Sequence, residues 1–284
     1  MSEAQDNGPA AETWQPDNLI QAAASIVTAC EPMQKVTRAK ATRDAWLGGR
    51  LSIGSVSTSP PMPDRPGRPA KPDLVAPRHM PRRSAHGLKG RIALLHSLAH
   101  IELNAVDMTW DLIGRFGGED MPRAFLDDWV TVGGEEAEHF ALVSNRLNEL
   151  GAAYGDLPAH DGLWQAAQAT GHSLVARIAV VPLVLEARGL DVSPSMIDQL
   201  QRACDDASAA VLNVIYQDEK RHVAFGARWF RFLCKRDGLP PEPTFHALVR
   251  RHFRGPVKPP FNDRARAEAG LTPGFYKPLV GAVS

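Results

Sequence analysis

Two short acidic stretches, EEAEH from residue 135 and DEKRH from residue 218, each place a histidine three residues after a glutamate. On a helix, residues three apart project from one face about one turn apart. Glu136 with His139, and Glu219 with His222, would each offer a carboxylate oxygen and an imidazole nitrogen to a metal ion. Oxygen and nitrogen donors without thiolate suit iron or manganese.

Each of the two pairs is preceded, at a similar distance along the chain, by one further glutamate. Glu102 lies 34 residues before Glu136, and Glu186 lies 33 residues before Glu219. Each falls within apolar residues at helical spacing, where an isolated charge would be costly to bury. Chance acids on exposed helix faces are the alternative, but the doubled pattern argues against it. The candidate ligands of a two-metal centre are Glu102, Glu136, His139, Glu186, Glu219 and His222.

An acidic residue stands directly before the glutamate of each pair. Metal-binding histidines usually donate their second ring N–H to a carboxylate, which fixes the tautomer and the orientation of the ring. We predict that Asp218 bonds His139 and that Glu135 bonds His222. Arg221 would balance charge in the same layer.

Other polar and aromatic residues near these motifs leave alternatives open. His96 and His100 are packing or surface histidines, or His100 supports the centre. Tyr216, one turn before Glu219, is a redox-active phenol or a hydrogen-bonded core tyrosine. Asp107 is a polar pocket group or a surface residue, and we expect Asn104 at the surface. Three aromatic residues either line a substrate pocket or are ordinary core residues: Phe140, Phe225 and Trp229.

Composition narrows the class of protein. The formal net charge of zero gives no global basic field that would favour nucleic acid. The three cysteines show no C-x-x-C spacing, which argues against a thiolate zinc site and fits a reducing compartment. No signal-type or membrane-length apolar run occurs, so a cytoplasmic protein is expected.

The pattern along the chain predicts an all-α protein with four parts. Residues 1–15 are expected to be disordered, and 16–86 to form a helical hairpin followed by a Pro-rich strap. A four-helix bundle is expected over 87–237 and a C-terminal wrap over 238–284. The strap has an alternative interpretation as a basic arm for an anionic partner such as RNA.

Prolines and glycines predict interruptions in the third long helix. Pro182 should bend it one turn before Glu186. Gly189 should end it, and Ser193-Pro194 should begin a short helix that runs to about residue 203. A break near residues 205–206 should precede the last long helix.

Four stretches carry a resemblance to a known group: HSLAHIEL from residue 96, YGDLPAHDGLW from 154, LEARGLD from 185 and KPPFN from 258. Over roughly residues 20–280 the chain resembles the ferritin-like superfamily of di-iron carboxylate proteins. It is most similar to an uncharacterised bacterial branch of it, a domain of unknown function. The resemblance implies a ferritin-like bundle in which the six candidate ligands hold two iron ions, or manganese and iron.

That superfamily includes soluble monooxygenases, desaturases, ribonucleotide reductase small subunits and a tRNA-modifying hydroxylase. The first functional hypothesis is therefore a dioxygen-dependent oxidoreductase that acts on an unknown organic substrate. The alternative is a ferroxidase, peroxide scavenger or metal-binding protein without an organic substrate, and a vestigial site is the third. An apolar cavity beside Glu102 and Glu186 would favour the first. The expected partners are dioxygen and a small molecule, and no association with a membrane is expected. Binding of tRNA and formation of a homodimer are left as open alternatives.

Overall fold

The computed structural model describes residues 14–55 and 61–281, and within them the chain is all-α with only isolated β-bridges. The expected fold class is thereby confirmed at this level. Most of the segment predicted to be disordered, residues 1–13, lies outside the described residues. At its end, Trp14 Nε1 donates a hydrogen bond of 3.3 Å to Thr42 Oγ1.

The helices fall into an N-terminal hairpin, a group of long helices and a set of short C-terminal helices. They are α1 Leu19–Thr28, α2 Pro32–Leu47, α3 Leu88–Phe116, α4 Arg123–Glu149, α5 Gly162–Ala169, α6 Leu174–Val180, α7 Ala187–Arg202, α8 Asp206–Arg236, α9 Pro241–His252, α10 Asp263–Glu268 and α11 Pro273–Tyr276. A π-helical segment, Val181–Glu186, joins α6 to α7. Single 3₁₀ turns lie at Pro77–His79 and Lys277–Leu279.

The long helices pack side by side around one apolar core. Helix α3 lies against α4, α4 against α8, and α8 against α6, the π segment and α7. Buried leucines, valines and tryptophans fill the space between them. The α1–α2 hairpin covers the outer side of this group, with α1 on α3 and α2 on α4.

The hairpin buries a charged residue of α3 that the sequence left as pocket or surface. Lys35 Nζ donates to Asp107 Oδ1 at 2.6 Å, and both side chains are fully buried. Arg68 of the Pro-rich segment lies 3.1 Å from the other Asp107 oxygen. Burial lowers the pKa of Lys35 and raises that of Asp107, against the attraction between them.

Asn104 was expected at the surface, and this prediction is wrong. Its side chain is fully buried, donates to the His100 carbonyl at 2.7 Å and accepts from Arg68 at 2.7 Å. The reason is that α1 and the Pro-rich segment cover this face of α3. The spacing of apolar residues within α3 does not predict which other segments cover the helix.

The connection between the π segment and α8 differs from the prediction at two positions. Gly189 does not end a helix, and Ser193-Pro194 does not begin one, because α7 runs unbroken from Ala187 to Arg202 with Pro194 inside it. Pro194 cannot donate to the carbonyl of Leu190, four residues earlier. That carbonyl instead accepts from the Asn262 side chain at 3.2 Å. The tail thus supplies the hydrogen bond that the proline removes.

The predicted break before the last long helix is confirmed. The chain turns after α7, and Asp205 caps α8 by accepting from the Ser208 backbone N–H at 3.1 Å. The bend expected at Pro182 takes the form of the π segment that contains it.

The Pro-rich segment lies against α1 and the loop between α4 and α5, and the tail lies against α7. Gly67 N donates to the Val27 carbonyl at 2.9 Å, and Val75 N donates to the Ala159 carbonyl at 2.8 Å. In the tail, Arg266 is buried against α7. Across residues 14–55 and 61–281, no helix has both the length and the apolar character that a membrane span requires.

Candidate metal centre

The six predicted ligands converge in the middle of the long helices. Glu102 comes from α3, Glu186 from the end of the π segment, and the two Glu-x-x-His pairs from α4 and α8. Each of the six is at most 9% exposed. Their donor atoms form two groups in which all atoms lie within 4.8 Å of one another. The groups are Glu102, Glu136, His139 and Glu219, and Glu186, Glu219 and His222.

Glu136 lies between the two imidazoles. Its Oε1 is 2.9 Å from Nδ1 of His222, and its Oε2 is 3.4 Å from Nδ1 of His139. Glu102 Oε2 is 3.6 Å from the same His139 nitrogen. Glu136 thus contacts both imidazoles, and Glu219 belongs to both donor groups.

The outer nitrogen of each histidine meets a carboxylate from the opposite helix, as the sequence predicted. His139 Nε2 is 3.1 Å from Asp218 Oδ2, and His222 Nε2 is 2.9 Å from Glu135 Oε2. Arg221 donates to both of these carboxylates. When Nε2 donates its proton outward, Nδ1 is left as a lone-pair donor that faces the other ligands.

The pKa values of the cluster are shifted by burial and by the close approach of carboxylates and imidazoles. Burial raises the pKa of Glu102 to about 8, and burial together with neighbouring carboxylates raises those of Glu186 and Glu219. The pKa values of His139 and His222 rise because the carboxylates outweigh burial. The pKa of Glu136 falls because, against burial, it faces both imidazoles. The cluster therefore favours cations.

Unpaired buried atoms test whether these residues fit a metal. Nδ1 of His139 and of His222, both oxygens of Glu136 and of Glu186, and Oε2 of Glu219 are buried without a partner aligned for a hydrogen bond in the described structure, although Glu136 Oε1 and His222 Nδ1 lie 2.9 Å apart. Each such polar atom costs about 1–3 kcal/mol. All are carboxylate oxygens or imidazole nitrogens, which suit a transition metal. The residues thus fit a metal, and the cluster could hold one.

The remaining sequence candidates lie outside the two donor groups. His100 Nδ1 is 2.9 Å from the Tyr154 hydroxyl, and its Nε2 is 3.1 Å from the His160 carbonyl. Burial, with Arg68 nearby, lowers the pKa of His100 to about 4. His96 accepts from the Gly155 N–H at 3.0 Å. These two histidines join α3 to the loop between α4 and α5, which favours the packing interpretation.

Tyr216 contacts the tail. Its hydroxyl accepts from Asn262 Nδ2 at 3.3 Å, and the Lys220 ammonium lies 4.4 Å from its ring centre. Tyr216 is also outside the walls of the large cavity described below. The arrangement is that of a hydrogen-bonded tyrosine between α8 and the tail.

A cavity of about 700 Å³ lies beside the cluster, with Glu102, Glu186 and Glu219 in its wall. The rest of the wall is mainly apolar and includes Leu98, Ala105, Leu183, Val192, Phe253 and Phe261. Its aromatic residues come from the C-terminal segment. Phe140, Phe225 and Trp229, considered as pocket residues from the sequence, are not among those in the wall.

The tail residues of the wall were missed by sequence reasoning. Phe245, Phe253 and Tyr276 all line the cavity. The prolines at 256, 259 and 260 precede a segment that was expected to wrap the bundle. They did not indicate which helices that segment would touch.

The fold and the cluster define an all-α protein with a buried carboxylate and histidine site that could hold a metal ion. The chain belongs to the family described as Protein of unknown function (DUF455), whose model matches residues 28–277. It is 42% identical over 211 residues to an uncharacterized protein of Haemophilus influenzae, covering 72% of this chain and 73% of that protein. No solved structure matches the chain.

Proposed function

We propose that this protein is a ferritin-like di-iron carboxylate protein and a dioxygen-dependent oxidoreductase that acts on a small organic molecule. The observation that carries the proposal is the joint arrangement of the cluster and the cavity. Six buried oxygen and nitrogen donors from four helical segments converge. Three of their carboxylates also form part of an apolar cavity wall.

The ligand assignment follows the two donor groups. Glu102 and His139 would hold one iron ion, Glu186 and His222 the other, and Glu136 and Glu219 would be shared. Two bound iron ions would supply the reduction of dioxygen and the oxidation of a substrate C–H bond. Manganese with iron is the alternative metal pair, since both accept this donor set.

The chain itself orients the ligands and excludes water. Asp218 and Glu135 fix the rings of His139 and His222 through their outer nitrogens. Arg221 links these two carboxylates and offsets their charge. The apolar wall would place a substrate beside Glu102 and Glu186 while keeping solvent from the cluster.

The cavity favours an organic substrate over a ferroxidase. Iron ions in transit need oxygen donors along their path, because a bare cation is costly to move through apolar surroundings. The wall offers such donors mainly at the cluster itself. An apolar volume of about 700 Å³ lies within the range of small-molecule sites.

Metal content tests the site. Protein produced with iron should contain about two ions per chain, as the four carboxylates balance two divalent charges. Glu219→Ala should lose most of this iron because Glu219 belongs to both donor groups. Glu138→Ala is the matched control, since Glu138 lies in the same stretch as Glu136 but pairs with Arg43 at the surface. Full iron occupancy in Glu219→Ala would refute the ligand set.

Oxygen uptake tests the activity. The reduced, iron-loaded protein should consume dioxygen in an electrode assay, and Glu219→Ala should not. Iron-loaded protein that leaves dioxygen untouched would contradict the proposed oxidoreductase.

A further inference from the structure

The cavity beside the cluster has an apolar interior and a positively charged rim. Three of the residues in its wall are cations that reach solvent: Arg83 from the Pro-rich segment, Arg188 from α7 and Lys258 from the tail. They come from three separate parts of the chain. The fold therefore gathers positive charge where the cavity meets solvent.

The one acidic residue of the wall outside the cluster is already neutralised. Asp191 accepts two hydrogen bonds from Arg266, each of 2.7 Å, and lies 3.3 Å from Arg188. One carboxylate thus faces two guanidinium groups, which leaves a net positive charge there. The other acids of the wall, Glu102, Glu186 and Glu219, belong to the proposed ligand set.

Arg83 and Lys258 have no acidic partner within the described part of the chain. Arg83 donates to the Ser97 hydroxyl at 3.0 Å, and the Lys258 ammonium has no hydrogen-bond or ion-pair partner there. Arginines elsewhere on the surface do pair with acids, as Arg264 does with Glu268 at 2.9 Å. Unpaired cations at the mouth of an apolar cleft raise the local concentration of anions.

We propose that the cavity binds a small organic anion, a molecule with an apolar body and one terminal carboxylate or phosphate-like group. The anionic group would lie at the rim with Arg83, Arg188 and Lys258. The apolar body would then extend along the wall toward Glu102 and Glu186. The claim that this molecule is the substrate rests on the proposed function. The claim that the cavity binds it does not.

Calorimetric titration of the full-length protein, with its iron content measured beforehand, tests the class of ligand. The probes are decanoate, 1-decanol and decyltrimethylammonium, which share an apolar chain and differ in charge. Decanoate should bind about tenfold more tightly than 1-decanol, because a charged hydrogen bond adds to the same apolar contact. The cationic probe should bind most weakly. Equal affinity of the three probes would overturn the inference.

A pair of double variants tests the position of the anion. Arg83→Gln with Lys258→Gln removes two rim charges. Arg82→Gln with Arg254→Gln removes two exposed charges from the same segments, outside the cavity wall. The rim variant should bind decanoate about tenfold more weakly and 1-decanol unchanged, as expected for the loss of two solvent-accessible ion pairs. An equal loss in both double variants would overturn the inference.

Iron content separates this inference from the proposed function. Wild-type protein that holds iron and consumes dioxygen but does not bind decanoate would contradict the ligand class alone. Protein that binds decanoate at the rim but holds no iron would support the ligand class and contradict the metal centre.

Discussion

Each histidine of the cluster is fixed between two helices. His139 of α4 meets Asp218 of α8 at 3.1 Å, and His222 of α8 meets Glu135 of α4 at 2.9 Å. These two contacts between α4 and α8 direct the other ring nitrogen of each histidine, Nδ1, toward Glu136. Ring orientation is therefore set by residues adjacent to the proposed ligands in sequence, one on each helix.

Removing one of these outer carboxylates should weaken metal binding without removing a ligand. In Asp218→Ala, His139 loses the acceptor that fixes its tautomer, so iron affinity should fall about 10–100-fold. Competition with a chromophoric chelator measures this affinity. Gln217→Ala is the control, since Gln217 is the preceding residue and, among the described residues, its side chain hydrogen-bonds to Asn213 and Lys220. Unchanged iron affinity in Asp218→Ala would contradict the orienting role.

The residues of the cluster could be predicted from sequence, whereas some of their surroundings could not. Helical periodicity places Glu102 and Glu186 on buried stripes, and adjacency places Glu135 and Asp218 beside the pairs. The burial of Asn104 depends on Arg68, 36 residues away. A contact of that kind follows from how a covering segment crosses the helix, which the local pattern does not encode.

At the scale of elements, the π segment gives Glu186 its position. Pro182 interrupts the regular α-helical hydrogen bonding. Over Val181–Glu186 the backbone is π-helical, so each hydrogen bond spans one residue more than in an α-helix. The segment packs closely on α8 at Gly226, where an added Cβ would lie 2.7 Å from Pro182 Cβ. The sequence predicted a bend here, but neither the π geometry nor this close contact with α8.

Two glycine substitutions test the importance of that contact. Gly226→Ala should destabilise the protein by about 1–3 kcal/mol, because its Cβ overlaps Pro182. Gly189→Ala, also inside a helix, would meet only Glu219 Cγ at 4.0 Å. It should stabilise the protein by about 0.5–1 kcal/mol through its helix propensity. Urea unfolding of both variants measures the difference, and equal stabilities would show that α8 does not require a glycine here.

The cap of α8 should make stability depend on pH. Against burial, hydrogen bonds from Ser208 and the charge of Arg146 lower the pKa of Asp205 below its usual 3.8. Its folded-state pKa is thus below its unfolded value, so its stabilisation is complete above pH 3.8 and is lost as pH falls through the folded pKa.

Asp205→Ala should therefore cost about 1–2 kcal/mol at pH 7, the usual value of an N-cap. The cost should diminish below pH 3.8, the ordinary pKa of the carboxyl group. Urea unfolding between pH 3 and 7 measures it, with the exposed neighbour substitution Asp206→Ala as control. A cost that does not change with pH would exclude the ionised carboxylate as its source.

At the scale of the whole molecule, the tail completes the cavity and the packing of α7. Asn262 satisfies the Leu190 carbonyl that Pro194 leaves free, and Phe253 and Phe261 form part of the cavity wall. The sequence indicated a wrap but not its contacts, since the Pro-rich stretch at residues 256–260 and the short helices beside it have no long periodic pattern that points to a partner helix. The donor side chains of the cluster are thus predictable from the sequence, whereas the tail residues of the cavity wall are not.

One buried ion pair attaches the tail to α7. Arg266 is 3% exposed, makes two hydrogen bonds of 2.7 Å to Asp191, and lies 4.5 Å over the ring of Tyr276. Arg266→Met keeps much of the apolar contact but leaves the buried Asp191 with the Asn262 backbone N–H at 2.9 Å and the weaker Arg188 interaction at 3.3 Å. Losing one partner of a buried pair costs about 3–5 kcal/mol.

That cost should appear locally, because the core of the long helices does not depend on the tail pair. Amide hydrogen exchange over residues 261–281 should accelerate about a hundredfold in Arg266→Met, while exchange in α3, α4 and α8 should be unchanged. Arg264→Met is the control, since Arg264 is 90% exposed and pairs with Glu268. Decanoate binding should weaken in Arg266→Met alone, because the tail carries both Lys258 and the aromatic wall. Uniformly faster exchange throughout the chain would instead show that the tail and the long helices unfold together as one unit.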